Sequence, residues 1–365
     1  MKRVVIVGGG YAGANLARAL DKLAEVCVVE ARDHFVHNVA AIRSVVDPSL
    51  LAQIVIPYDR LLQRGRVRQG IVSSAFDGGV TLADGATIEG DIVIVATGSH
   101  YARPFKPTLH GARAFEDSVK AAHGSLLAAD RVAIVGGGAV GVELAGEIAT
   151  AHPGKRVTLV SGASALMPGY STKLARSLEA QLRAKGVDIH LGTRVESLDA
   201  TDSPYLGTLS DTPYAAESQL IFPALGARPI TAVFRRMPTA SFDAQGRVVV
   251  DAWLRPAGAR RLFALGDAAA TGDPMTIVAI TRQVPWLAKL IAATLAGESP
   301  ESRPAYVPWS PRGILVPLGP RDGASVLPLM RDGVLVGKWP TAMIKGRELF
   351  IPRYRKEFGY SRKCA

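Results

Sequence analysis

Cysteine is nearly absent. Cys27 lies inside an apolar strand-like run and Cys364 stands next to the last residue, neither with a neighbouring cysteine. A disulfide framework and a redox dithiol are therefore both excluded, and the reducing cytoplasm is the expected compartment. Long hydrophobic runs are missing too. The strongest, LAKLIAATLAG at 287–297, is interrupted by Lys289 and falls short of the ~20 residues that cross a bilayer, so it reads as an amphipathic helix. The start, MKRVVIVGGG, has the basic pair of an export signal, but only four apolar residues precede its glycines and no cleavage site follows. Lys2 also stands where N-myristoylation requires glycine. Acidic residues are outnumbered, 32 against 43 basic ones, for a net charge of +11. That excess suits phosphates, anionic lipid headgroups, an acidic protein partner or a plain solvated surface. No helix-turn-helix, zinc or RNA-binding motif supports nucleic acid as the ligand, and His34 and His37 have no further ligand nearby to make a metal site.

What is present is glycine, 37 residues of it, in a chain that is 48% hydrophobic and 21% charged, values of a globular α/β protein. At 365 residues the chain exceeds one ordinary domain of ~100–200 residues. A repeat organises it. RVVIVGGGYAGANLARAL (3–20) aligns with RVAIVGGGAVGVELAGEI (131–148), identical at ten of eighteen positions. Each copy runs from a β-branched strand through glycines into Ala and Leu at helical spacing. EVCVVE (25–30) and DIVIVATGS (91–99) continue the first unit, and RVTLVS (156–161) and QLIFPALGARP (219–229) continue the second in the same order. RRLFALGDAA (260–269) adds a buried strand, and TRQVPWLAKLIAATL (281–295) a helix. The expected architecture is α/β, with two Rossmann-like dinucleotide-binding domains and a small α+β C-terminal unit. Its expected bounds are 1–105 with 242–298 for the first domain, 106–241 for the second, inserted domain, and 299–365 for the last. The Pro- and Ser-rich stretch 299–311 marks a linker, and a basic, aromatic tail closes the chain.

Gly8, Gly10 and Gly13 follow a strand and open a helix, and Glu30 stands twenty residues beyond Gly10 at the end of the next strand. The first glycine permits the tight turn, the second lets backbone approach a pyrophosphate, and the third lets helix pack on strand. The helix N-terminus stabilises the phosphate charge, and Glu30 would accept from ribose hydroxyls. Tyr11, Ala12, Ala31 and Arg32 flank these positions. Gly136, Gly138 and Gly141 repeat the loop, flanked by Ala139 and Val140, and Gly226 ends the later strand. Two differences bear on chemistry: Asn15 becomes Glu143, and the ribose position becomes Ser161. Without an acid there, a 2′-phosphate is not repelled, so NADH and NADPH both remain open.

The two loops, Ala96-Thr97-Gly98 and Gly266-Asp267 together resemble the two-dinucleotide-binding flavoproteins, a glutathione-reductase-like fold. HNVAAIR (37–43), RQG (68–70), GVELAGEI (141–148), RDG (321–323) and KGRELF (345–350) narrow the resemblance to the ferroptosis suppressor protein-like, apoptosis-inducing factor homologue branch, from residue 3 to about 350. Type II NADH dehydrogenases are more distant relatives. The resemblance implies FAD in the first site, with Asp267 at its ribityl–phosphate region, and NADH or NADPH in the second. It implies hydride transfer to the flavin and two-electron reduction of a quinone, with Glu143 directed at the nicotinamide and flavin and Lys345 near the flavin. A Glu143–Lys345 pair would orient the ring and relay a proton. A surface lysine in a turn is the alternative for Lys345. His37, Asn38 and Arg43 are expected at the FAD; Gln283 either reaches the flavin's carbonyl side or lies on a helix surface. Phe350 either lines the quinone pocket or belongs to the core. The tail either lies on an anionic membrane, at the inner face, or covers the active site. A ferredoxin-like acceptor is the second enzymatic reading. A flavin monooxygenase would need an FxGxxxH signature, which is missing.

Overall fold

A computed structural model describes residues 1–109, 111–209, 219–331 and 333–360; Cys364, Arg362 and Lys363 lie outside them. The first sheet has the strand order Leu262–Ala264, Ile92–Val95, Arg3–Val7, Glu25–Glu30, Arg66–Gln69, and every pairing is parallel. Its inner strands, VVIV, VCVV and IVIV, are wholly buried, because a parallel sheet is covered on both faces and cannot spare a polar side. The chain builds outward from Arg3–Val7 in one direction, then returns to its other edge. The crevice at that reversal, beyond the C-terminal end of Arg3–Val7, is where open α/β sheets take ligands.

The second sheet repeats the plan, in the order Asp188–Leu191, Arg156–Ser161, Arg131–Val135, Gln219–Pro223, Tyr205–Gly207, with only Tyr205–Gly207 antiparallel. Its switch point falls at the end of Arg131–Val135. An antiparallel three-stranded meander, Val72–Phe76, Gly79–Leu82 and Thr87–Glu89, is carried by the first unit. Ile314–Pro317, Gly323–Leu327 and Val334–Val336 form a three-stranded antiparallel sheet near the C-terminus.

The helix expected over 281–295 begins earlier, at Ile277, where the Thr276 side chain accepts from the Ala279 N–H, satisfying one of the orphan donors of a helix start. Pro285 lies within it. The 299–311 stretch is not a free linker: Tyr306 is buried and donates to Asp273 at 2.5 Å, while the Trp253 indole donates to the Arg303 carbonyl. The tail also folds back. Its helix Ile351–Glu357 places Tyr354 and Phe358 in a buried cluster with Phe35 and Tyr58 of the first unit, Phe35 and Phe358 stacking at 4.4 Å.

Candidate functional site

The first glycine loop is shaped by contact. Gly8 has φ +102°, and a Cβ there would stand 2.5 Å from the Ala96 carbonyl oxygen; one on Gly13 would stand 1.9 Å from the Gly8 oxygen. Gly10 differs, because a Cβ on it would meet nothing within 4 Å. That open space lies at the start of the helix Tyr11–Leu20, whose first turn carries no acid, so its N–H groups face a place left for an anion. Glu30 is buried and accepts from the Gly9 N–H at 2.5 Å and from Arg32 Nε at 2.8 Å. Burial opposes its charge, but the Arg32 guanidinium and these donors hold its pKa below the ordinary value.

A cavity of about 350 Å³ runs from this loop across the sheet end. Gly8, Gly10, Tyr11, Ala12, Glu30, Ala31 and Arg32 line one part of it. Ala96, Thr97, Gly98, Gly266 and Asp267 line the other. Asn38 also lines it, and its Oδ1 is buried with no hydrogen-bond partner among the described residues, an arrangement that costs free energy unless a bound group supplies a donor. A glycine cradle, a buried acid at the strand end and an orphaned amide oxygen together fit FAD.

The second loop shows the same economy of space. Gly136 has φ +130°, with a Cβ position 2.2 Å from the Ala224 oxygen; Gly141's would lie 2.0 Å from the Gly136 oxygen, and Gly138 is open. Ser161 is buried and accepts from the Ala163 N–H at 3.2 Å. Gly226 takes φ +101° with open space beside it. This loop fits NAD(P)H. Its helix, Ala139–Ala151, sends Ala139, Val140 and Glu143 to a second cavity of about 210 Å³. The two cavities share the lining residues Tyr11, Asn38, Lys106, Asp267 and Ile280, so they meet.

At that second cavity Lys345 Nζ donates to Glu143 Oε1 at 2.7 Å and to the Leu315 carbonyl at 3.0 Å. Lys345 is no surface lysine; it is 8% exposed. It sits in a π-helical turn, Ala342–Gly346, and such one-turn bulges re-aim a side chain. Burial raises the Glu143 pKa, against the lowering effect of Lys345; a neighbouring Glu147 raises it further.

Arg43, Gln283, His37 and Phe350 are among the expected site residues that line neither cavity, and their contacts are specific. Arg43 lines neither cavity; its guanidinium meets Glu147 at 2.8 Å in a buried pair that ties the first unit to the second unit's helix. Gln283 is 2% exposed, so it is not a helix-surface residue, and it lines neither cavity. Its Oε1 accepts from the Gly266 N–H at 2.8 Å and its Nε2 donates to Asp273 at 2.9 Å, so it shapes the Gly266-Asp267 turn from behind. His37 is also buried behind the cavity wall, with Nε2 2.6 Å from the Leu349 carbonyl and Nδ1 3.0 Å from the Tyr11 hydroxyl; Tyr11 is the residue that reaches the cavity. Phe350 lines neither cavity and packs on the aromatic cluster of Tyr11, Phe35 and Tyr354, the core alternative. In the tail, Tyr354 and Phe358 are core and Tyr360 donates to Asp59, so the ring stripe faces the protein.

Two charged side chains carry no assignment from the sequence: Lys106, which lines both cavities, and Glu147, which lines neither and pairs with Arg43. Glu147 lies one turn after Glu143 and so on the same helix face, a signal present in GVELAGEI. Lys106, which donates to Ser99 Oγ at 2.5 Å and Asp267 Oδ2 at 3.2 Å, carries no such periodic signal. Among the described residues no group of three metal-ligating side chains occurs, and no helix is long and apolar enough to cross a membrane.

Comparison with known proteins agrees with this geometry. The chain is 29% identical to apoptosis-inducing factor homolog B of Dictyostelium discoideum, over 97% of this chain and 96% of that one. It is 29% identical to human ferroptosis suppressor protein 1, over 95% and 93% respectively. Among solved structures, the sulfide:quinone oxidoreductase of Aquifex aeolicus shares the fold with a TM-score of 0.75 at 15% identity, covering 100% of this chain and 93% of that one. A Bacillus anthracis CoADR-RHD structure matches with a TM-score of 0.69 at 17% identity; it covers 89% of this chain, which spans 61% of that protein. The pyridine nucleotide-disulphide oxidoreductase model matches residues 58–283, and a second model of that description matches residues 3–47. An FAD- and NAD(P)H-binding oxidoreductase is what both sites and relatives describe, and the chain belongs to the pyridine nucleotide-disulphide oxidoreductase family.

Proposed function

We propose that the protein is an NAD(P)H:quinone oxidoreductase. The observation that carries this reading is the second cavity, a chamber walled by Val39, Ile42, Phe105, Ile277, Ile314 and Leu315, with the buried Glu143–Lys345 pair and the half-buried Lys106–Asp267 pair at its lining. An apolar ring enters such a chamber favourably, and a few placed polar groups orient it. Thiol exchange has no support in the chain: Cys27 is buried in a central strand, and Cys364 is far from it in sequence.

FAD, when bound, supplies the hydride acceptance and two-electron transfer that side chains cannot perform. The residues manage position and protons. An ammonium has three N–H donors; two of those on Lys345 are given to Glu143 and Leu315, and the third serves a bound carbonyl oxygen. Glu143, its pKa raised chiefly by burial, is the group through which a proton taken up from solvent reaches Lys345 after that ammonium has donated one. Quinol formation needs two electrons and two protons, so such a relay belongs beside the acceptor.

The net charge of +11 favours one other acceptor class, an acidic ferredoxin-like protein. Steady-state turnover with NADH or NADPH and a water-soluble quinone, run beside turnover with ferredoxin, separates the two. Quinone reduction no faster than the buffer blank overturns the proposal, and ferredoxin reduction at high rate replaces it.

A further inference from the structure

The Gly266-Asp267 turn carries an aspartate that is already occupied. Ser99 donates its hydroxyl proton to Asp267 Oδ2 at 2.5 Å, and Lys106 Nζ reaches the same oxygen at 3.2 Å, the Ser99 hydroxyl at 2.5 Å and the Ser99 carbonyl at 3.3 Å. Three acceptors thus hold one ammonium in place while its side chain stays 23% exposed. Lys106 belongs to the segment leading to the long helix Gly111–Ala128; the residue before it, Phe105, is buried in the second unit's core. That packing fixes the lysine's base, and the Ser99–Asp267 pair fixes its tip.

Its location is informative. Lys106 lines both cavities, and only there can a ring held in the first meet a nicotinamide delivered to the second. Hydride transfer requires contact of the two rings, so the flavin ring belongs where the cavities join. Arriving hydride brings negative charge to that ring. Of the side chains shared by both cavities, Lys106 alone carries a positive charge and its partner Asp267, 3.2 Å away, a negative one; in a partly dry site the ammonium favours an anion that lies nearer to it than to that carboxylate.

We propose that Lys106 is the cation that stabilises the anionic, reduced flavin, with Ser99 and Asp267 acting as positioning residues for its ammonium. The proposal rests on the FAD and NAD(P)H sites and is independent of which acceptor takes the electrons. Lys345 lines the second cavity only and is absent from the first, so the two lysines serve separate tasks.

The test uses the FAD-loaded protein and sulfite, which adds to oxidised flavin to give an anionic adduct and so reports stabilised negative charge without turnover. Lys106→Met is expected to weaken sulfite binding about tenfold or more and to lower the two-electron midpoint potential by about 30 mV per tenfold. Lys106→Arg, which keeps the charge, is expected to stay within about threefold of the parent protein. Unchanged sulfite affinity and potential in Lys106→Met overturn the proposal, as does an equal loss in Lys106→Arg. A Lys106→Met protein that loses FAD altogether, while Lys106→Arg retains it, assigns the ammonium to the oxidised cofactor's phosphates and overturns it as well.

Discussion

Lys345 Nζ donates to Glu143 Oε1 across 2.7 Å, joining residues 202 positions apart on a π-helical turn and on the second glycine-loop helix. Removing either partner leaves the other buried without compensation. Lys345→Met and Glu143→Gln are each expected to slow acceptor reduction by about 10²-fold, the scale of a lost proton relay. The double variant is expected to be little slower than either single one, as groups acting together are not additive. Stopped-flow reoxidation of the reduced enzyme by a soluble quinone measures this; losses that multiply would mean the two act separately. Because the Glu143 pKa is raised, the same rate should fall as pH rises through it, and Glu143→Gln should lack that limb.

Arg43 and Glu147 form the second buried pair, with side chains 11% and 5% exposed. Arg43→Met is expected to destabilise the protein by about 3–5 kcal/mol through the stranded carboxylate. Combining it with Glu147→Leu should recover most of that loss, since a neutral apolar pair strands no charge. Denaturant unfolding of the three variants decides, and a double variant as unstable as Arg43→Met would refute the assignment.

The glycine loops separate folding from cofactor binding. Gly13→Ala drives a methyl to 1.9 Å from the Gly8 oxygen, so it should impair both folding and FAD retention. Gly10→Ala meets no protein atom within 4 Å, and should fold but purify without its yellow colour. Gly138→Ala, equally open, should keep FAD and lose affinity for NAD(P)H. Circular dichroism beside flavin absorbance reads all three, and a yellow Gly10→Ala protein would mean the pyrophosphate lies elsewhere.

His37 gives a pH signature. Burial, reinforced by the Lys345 charge, holds its pKa at about 4 against an ordinary 6.5. Between those values the unfolded chain binds a proton that the folded one refuses. The His37 contribution is therefore complete above pH 6.5, and is lost as pH falls through about 4, by about 3 kcal/mol in all. His37→Gln should flatten this part of the stability profile; an unchanged slope assigns it to other groups.

The sequence by itself determined the duplicated architecture, because parallel strands buried on both faces must be written as unbroken β-branched runs and a pyrophosphate turn must be written in glycine. Glu30 was legible for the same reason: a short, local register of strand, turn and helix fixes where it falls. Glu143 and Lys345 were legible through resemblance to a family, and the tertiary structure supplied their contact. Arg43, His37, Gln283 and Phe350 stand in the site's neighbourhood by sequence, and only the fold shows which partners they take in place of a cavity lining. A side chain's reach depends on which distant segment packs against it, Glu147 for Arg43 and the Leu349 carbonyl for His37, and no local spacing encodes that. Lys106 shows the same limit from the other side: it sits between two prolines two residues either side of it or nearer, unremarkable as sequence, and becomes the shared cation of two cavities only when Ser99 and Asp267 are folded onto it.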